Sequence, residues 1–266
     1  MKAVASLLAA VAVIAGCSTT SGATGGSSAT RLELTVYAAS SLKGALEAAR
    51  TAYEAAVPGL KLTIATDASS TLRTQIEQGA PADVFLSADQ TNATRLVDGG
   101  LADGAAVDFA GNTLVVIVPT ANRAGITAMK DLSKPGVKII AAGADVPITK
   151  YATQAVGNLA GLDVDIPGFA AAYEANVVSK EDNVKAVVAK IELGEGDAAI
   201  VYVTDAKAST KVTTIEIPAA ANVPATYAGV VVKASAHRDA AHAFLTWLAG
   251  PDGQAVLARF GFLPPS

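Results

Sequence analysis

One cysteine, Cys17, and two histidines are all that the chain offers of the side chains most used in redox, metal and nucleophilic chemistry. A single cysteine excludes an intrachain disulfide. His237 and His242 stand five apart, a spacing that suits neither a metal pair on one helix face nor a hydrolytic triad. The sequence also lacks a G-x-S-x-G nucleophile elbow, a phosphate loop and a metal-ligand cluster, so a secreted α/β hydrolase is a disfavoured alternative. Basic runs and aromatic-basic platforms are missing, which argues against nucleic acid as a partner. Tandem repeats are missing too. Charged residues make up only 17% against 51% hydrophobic. That balance is neither that of a disordered chain nor that of a membrane-spanning one, and 266 residues are enough for two lobes with separate cores.

What is present begins with an N-terminal leader. Met1-Lys2 is followed by an uncharged run to Ala15, too short to cross a bilayer, which reads as a secretory signal over residues 1–16. Ile14-Ala15-Gly16-Cys17 resembles the lipobox of bacterial lipoproteins, in which cleavage leaves the cysteine lipidated; the alternative is an accidental or buried cysteine. Residues 17–30, rich in Ser, Thr and Gly, read as a flexible tether to the membrane. The expected location is extracytoplasmic, anchored through Cys17. The formal net charge is -4, and loss of Lys2 with the signal leaves 19 cationic residues against 24 acidic ones, a net of -5. Such a molecule repels anions as a whole. Any anion site must work through local dipoles and donors.

The stretch from Ala65 to Asp89 has the form of half an anion trap. A strand-like run from Leu60 to Thr66 leads into Asp67-Ala68-Ser69-Ser70-Thr71. A helix follows, with Leu72 and Ile76 on one face, and stops at Gly79 and Pro81 before the apolar strand Val84 to Leu86. Its hydroxyls fall where the first backbone N–H groups of the helix have no partner. An earlier unit repeats the plan: a strand over Arg31 to Ala38, the turn Ala39-Ser40-Ser41, then a helix with Leu42, Ala45, Leu46, Ala49 and Tyr53 at spacings of three and four. Taken alone, either Ser41 or Ser69 is more simply a helix cap. Further strands are expected at Leu114 to Val118, Val137 to Ala142, Val177-Val178, Ala198 to Val203 and Gly229 to Lys233. Helices are expected from Thr91, Pro147, Phe169, Glu181, Ala240 and Asp252. The alternation implies an α/β fold. A chain that leaves one lobe, builds a second and returns gives two crossings and a cleft, the geometry of a hinge-closing binding protein.

Nearly all of the mature region, from Leu32 to Phe262, resembles the periplasmic molybdate-binding proteins of ABC importers. The resemblance rests on Tyr37-Ala38-Ala39-Ser40-Ser41-Leu42, Ser69-Ser70-Thr71-Leu72, Gly79-Ala80-Pro81-Ala82-Asp83, Ser87-Ala88-Asp89-Gln90, Gly111-Asn112, Val146-Pro147, Ile200-Val201-Tyr202 and Gly261-Phe262, in this order and spacing. It implies the two-lobed, type II periplasmic-binding-protein fold, with the ligand cleft between the lobes. The boundaries expected are 31–115 plus 230–266 for the first lobe and 116–229 for the second. It further implies that Ser41, Ser69, Ile148, Val184 and Tyr202 hold molybdate, and tungstate as well, through neutral donors. The implied partners are an ABC permease and its ATPase. No catalysis, cofactor or bare metal cation is implied, and a monomer is expected. Another tetrahedral oxyanion, such as sulfate or phosphate, is the nearer rival. Where the family has Ala-Gly after Val146-Pro147, this chain has Ile148-Thr149, with Lys43 and Lys150 two residues past two of the donors. Asp83 and Asp89 read as turn-bonding groups, and Phe244, Trp247 and Leu248 as core.

Overall fold

The computed structural model describes residues 32–162 and 168–265. The expected leader, Cys17 and tether lie outside them. The first segment alternates strand and helix: β1 (Leu32–Ala39), a 3-10 turn (Ser40–Leu42), α1 (Lys43–Ala56), β2 (Leu60–Asp67), α2 (Ser69–Glu77), β3 (Val84–Ser87), α3 (Gln90–Asp98) and β4 (Val107–Asn112). The chain then runs through β5 (Leu114–Pro119), a 3-10 turn (Met129–Ser133), β6 (Ile139–Ala142), α4 (Pro147–Leu162), α5 (Phe169–Ala175), β7 (Val177–Glu181) and α6 (Val184–Glu192). It finishes with β8 (Ala199–Tyr202), α7 (Val203–Lys207), β9 (Val212–Glu216), β10 (Ala225–Val231), α8 (Arg238–Ala249) and α9 (Pro251–Arg259).

Five strands form one sheet in the order β2-β1-β3-β10-β4, and β8-β5-β9 and β6-β7 form two smaller ones. β1 runs parallel to both β2 and β3, with Val36 opposite Ile64 on one side and Val84 on the other. β10 returns antiparallel between β3 and β4. In the second lobe β6 and β7 are parallel, and a bridge from Ile139 to Ala198 runs parallel as well. The helices α2, α4 and α6 follow β2, β6 and β7 directly, so their N-termini stand at carboxyl ends of parallel strands, where open α/β sheets bind ligands.

Side-chain alternation decides which layer each strand residue joins. Val84 and Leu86 face a core that also takes Leu34, Val36, Leu46 and Tyr53, while Phe85 points the other way onto Leu72, Ile76 and Leu96. α1 buries Ala45, Leu46, Ala49 and Tyr53, the stripe expected from its spacing. Phe244 and Leu248 are buried on α8, and Trp247 is half-buried, with its ring centroid 5.0 Å from that of Tyr53. Each such aromatic pair adds about 0.5–1.5 kcal/mol beyond its area.

The chain changes sheets at Thr113 and between Glu216 and Ala225. Both points lie a few residues before the boundaries read from sequence, because β5 belongs wholly to the second lobe and β10 wholly to the first. One side chain ties the crossings together. Asn222 accepts from the Leu114 N–H at 3.0 Å and donates to the Leu114 carbonyl at 2.8 Å, imitating a strand partner. β4 and β9 were not expected from the sequence. β4 (VDFAGN) contains a glycine and carries its apolar residues unevenly, and β9 (VTTIE) is a half-exposed edge strand.

Candidate functional site

Ser41, Ser69, Ile148, Val184 and Tyr202 line one small cavity, together with Ala39, Ser40, Asp67, Ala68, Ala88, Val146 and Pro147. They come from six separate stretches of chain on both lobes. About 10 Å³ of the cavity is open to the centre of a water-sized sphere. That is a small space, of the order that an ion of a few atoms fills. Among the described residues, no lysine or arginine lines it.

Each polar contributor is aimed by the structure beneath it. Ser69 opens α2, and its hydroxyl oxygen accepts from the Ala88 N–H at 3.0 Å, which leaves its own hydrogen to point elsewhere. Ser41 lies in the 3-10 turn after β1, not at the first turn of α1 as the sequence suggested, because the chain tightens over Ser40–Leu42 before the α-helix begins. Its hydroxyl is 3.0 Å from that of Tyr227, which also receives the Asn112 amide at 3.4 Å. Ile148 and Val184 sit in the first turns of α4 and α6, where backbone N–H groups have no intrahelical acceptor. The dipoles of both helices add positive potential there.

Tyr202 is the most telling of the five. It is 1% exposed, and its hydroxyl has no hydrogen-bond partner within the protein. An unpaired buried hydroxyl costs about 1–3 kcal/mol, so a fold that keeps one at a cavity wall has a polar guest to offer it to. Burial, followed by the nearby Tyr227, Tyr151 and Asp205, pushes the Tyr202 phenol well above its ordinary range and keeps it a donor. Rings of Tyr151 and Tyr227 pack edge-on against it, at centroid distances of 6.2 and 5.6 Å, and prevent it from swinging away. Behind these rings lies Asp205, fully buried, with the Lys185 ammonium 2.9 Å from Oδ1. Burial raises its carboxyl, and Lys185 opposes the shift without cancelling it.

Of the departures from the family pattern, Ile148 lines the cavity, whereas Thr149 and the two lysines, Lys43 and Lys150, stand outside its wall. The Thr149 hydroxyl turns back onto the carbonyls of Ala142 and Gly143, at 3.0 and 2.8 Å, and faces a neighbouring cavity. Lys43 is exposed, and Lys150 reaches across to Thr91 Oγ1 at 3.3 Å on the rim. Asp83 and Asp89 serve the frame: Asp83 accepts from the Thr35 N–H at 2.7 Å, and Asp89 caps α3 through the Asn92 N–H at 2.8 Å. Glu181 closes β7 rather than opening α6, which is capped by Asn183 instead. His242 faces Asp103 at the surface.

Sequence reasoning missed Tyr227, Asp67 and the backbone of Ala88 as parts of this site. Tyr227 is one more aromatic within a strand, and nothing local marks it. Asp67 had a weak signal, an acidic residue placed before paired serines in a supposed anion turn.

Residues 34–263 match the model of the bacterial extracellular solute-binding protein family. The molybdate-binding protein ModA of Mycobacterium tuberculosis is 34% identical over 233 residues, covering 87% of this chain and 85% of its own. The Bacillus subtilis protein named "Putative ABC transporter substrate-binding lipoprotein YvgL" is 30% identical over 257 residues, 96% of this chain and 95% of its own. Among solved structures, the periplasmic molybdate-binding protein of Azotobacter vinelandii superposes with a TM-score of 0.74 at 25% identity, covering 88% of this chain and all of that one. Sequence, sheet order and an ion-sized cleft between two lobes agree, and the chain belongs to the bacterial extracellular solute-binding proteins.

Proposed function

We propose that this protein captures molybdate, and tungstate with it, outside the cytoplasm and delivers the anion to an ABC importer made of a permease and an ATPase. The observation that carries this reading is the unpartnered Tyr202 hydroxyl in the wall of an ion-sized cavity otherwise furnished with serine hydroxyls and helix N-terminal N–H groups. In this reading Ser41, Ser69 and Tyr202 donate through hydroxyls, and Ile148 and Val184 through the backbone. Apart from the Asp67 carboxylate, whose Oδ1 is taken up by Ala68 and Asn183, the polar groups of the wall are donors, which favours a fully deprotonated oxyanion, since a protonated one brings an O–H that needs an acceptor. Neutral donors also avoid the cost of burying a fixed cation. The molybdate-binding relatives named above support the choice of anion.

The protein acts without catalysis and needs no cofactor besides its cargo. One lobe comprises the chain up to the crossing at Thr113 together with the chain from Ala225 onward, and the other the stretch between the two crossings. As a monomer it is held at the membrane by a lipid on Cys17 after loss of residues 1–16, a reading that YvgL's name as a lipoprotein favours. Among the described residues no helix is long and apolar enough to cross a membrane.

Thermal unfolding against a panel of molybdate, tungstate, sulfate and phosphate tests the assignment. Ligand at about one hundred times Kd adds roughly 2.7 kcal/mol to stability. Molybdate and tungstate are expected to raise the transition. A rise with sulfate or phosphate and none with molybdate would overturn the choice of anion, and no saturable rise with any would overturn the receptor reading.

A further inference from the structure

The cavity wall contains one group that a site made of donors does not call for, the carboxylate of Asp67 at the end of β2. Its Oδ1 accepts from the Ala68 N–H at 2.8 Å and from the Asn183 side-chain amide at 3.0 Å. The second bond crosses the cleft, since β2 lies in the five-stranded sheet and Asn183 precedes α6 of the other lobe. Asn183 is itself held: its Oδ1 caps α6 by accepting from the Ala186 N–H at 3.1 Å, so its amide is already turned outward. Both partners are therefore oriented by their own lobes before they meet. Joining them immobilises little that was free, which is the condition under which a single hydrogen bond contributes most of its strength.

Position gives the bond its consequence. Ser69 stands two residues after Asp67 and Val184 one residue after Asn183, and both line the cavity. The Asp67–Asn183 bond thus sets the separation between a hydroxyl donor of one lobe and an N–H donor of the other. Resting on the anion-receptor reading above, we infer that Asp67 and Asn183 are positioning residues, a clasp that holds the lobes shut over the anion and slows its release. The contact runs from protein to protein, not through the ligand. It favours the closed arrangement with or without anion.

Three variants of the full chain separate the clasp from its alternatives. Asp67→Ala removes the acceptor. Asn183→Ser keeps a hydroxyl cap on α6 but loses the amide donor, so an effect of unwinding the helix is kept apart. Asp67→Asn keeps an acceptor and removes the charge. Release of molybdate followed by stopped flow is expected to quicken about tenfold in Asp67→Ala and in Asn183→Ser, and to return to near the unaltered rate in Asp67→Asn. X-ray scattering without anion is expected to show a more open envelope for the first two. Unchanged release in Asp67→Ala and Asn183→Ser would overturn the clasp, as would release from Asp67→Asn as fast as from Asp67→Ala, because the carboxylate's charge would then be the cause. Should the unaltered protein bind no oxyanion, the receptor reading falls by itself. The clasp is then decided by scattering alone: a wider envelope for Asp67→Ala upholds it, and an identical one refutes it.

Discussion

Tyr202→Phe removes one oxygen and is expected to move binding and stability in opposite directions. The hydroxyl is buried and has no partner in the protein, so in the absence of anion it is a cost of about 1–3 kcal/mol that phenylalanine does not carry. The ring keeps its edge-on contacts with Tyr151 and Tyr227, which do not use the oxygen. Stability of the anion-free variant should therefore hold or rise, by about 2–4 °C in Tm for each kcal/mol gained in a domain of this size. In the proposed complex the same oxygen donates to a charged acceptor, a bond worth about 1.5–3 kcal/mol. Its loss should raise Kd for molybdate about 10- to 150-fold. Calorimetric titration and thermal unfolding of both proteins supply the two numbers. A lowered Tm with an unchanged Kd would refute the reasoning, since it would mean that the hydroxyl is bonded inside the protein and does not face the guest.

Ser41→Ala combined with Ser69→Ala should weaken anion binding far more than it lowers anion-free stability, as read by titration and urea unfolding; equal effects would mean the serines serve only the frame. Asp131 is a buried carboxylate whose burial favours the neutral form, but the Thr127 and Ala128 N–H groups, the Thr127 hydroxyl and Lys134 overcome this and hold it at about 2. Its folded value lies below its unfolded one, so the stabilisation is complete above about pH 4 and is lost as pH falls toward 2. Asp131→Asn should lower stability by about 2 kcal/mol at pH 7 and flatten the acid limb of the stability profile in that window. Gly157 and Gly253 both lie in helices, yet a Cβ at Gly157 meets nothing within 4 Å, whereas one at Gly253 falls 2.4 Å from the backbone of Leu248. Thermal unfolding should show Gly157→Ala gaining up to about 1 kcal/mol and Gly253→Ala losing about 1–3 kcal/mol as α8 and α9 are forced apart.

Local signals carried much of the architecture. The three-and-four spacing of Ala45, Leu46, Ala49 and Tyr53 placed α1 because burial on one face requires that period. Pro147 marked the start of α4, since its fixed φ and missing N–H suit a first helical turn. Elements with no such reason to be regular in sequence escaped. β9 is half-exposed at a sheet edge, so no alternation is imposed on it, and β10 begins at Ala225, ahead of the expected Gly229, because Thr226 and Tyr227 meet β4 through an irregular register.

By itself the sequence determined the α/β alternation, the two crossings and the family, because these rest on periodicity, turn chemistry and ordered motifs along the chain. It also singled out Ser41, Ser69, Ile148, Val184 and Tyr202, through the resemblance those motifs carry. Only the tertiary structure decided that the five surround one cavity, that the Tyr202 hydroxyl is left without a partner there, and that Thr149 turns away. It alone brought Asp67 to Asn183 across 116 positions of chain. Such contacts depend on how two separately folded sheets face each other, and a distance across a cleft leaves no period or spacing in the sequence from which to read it.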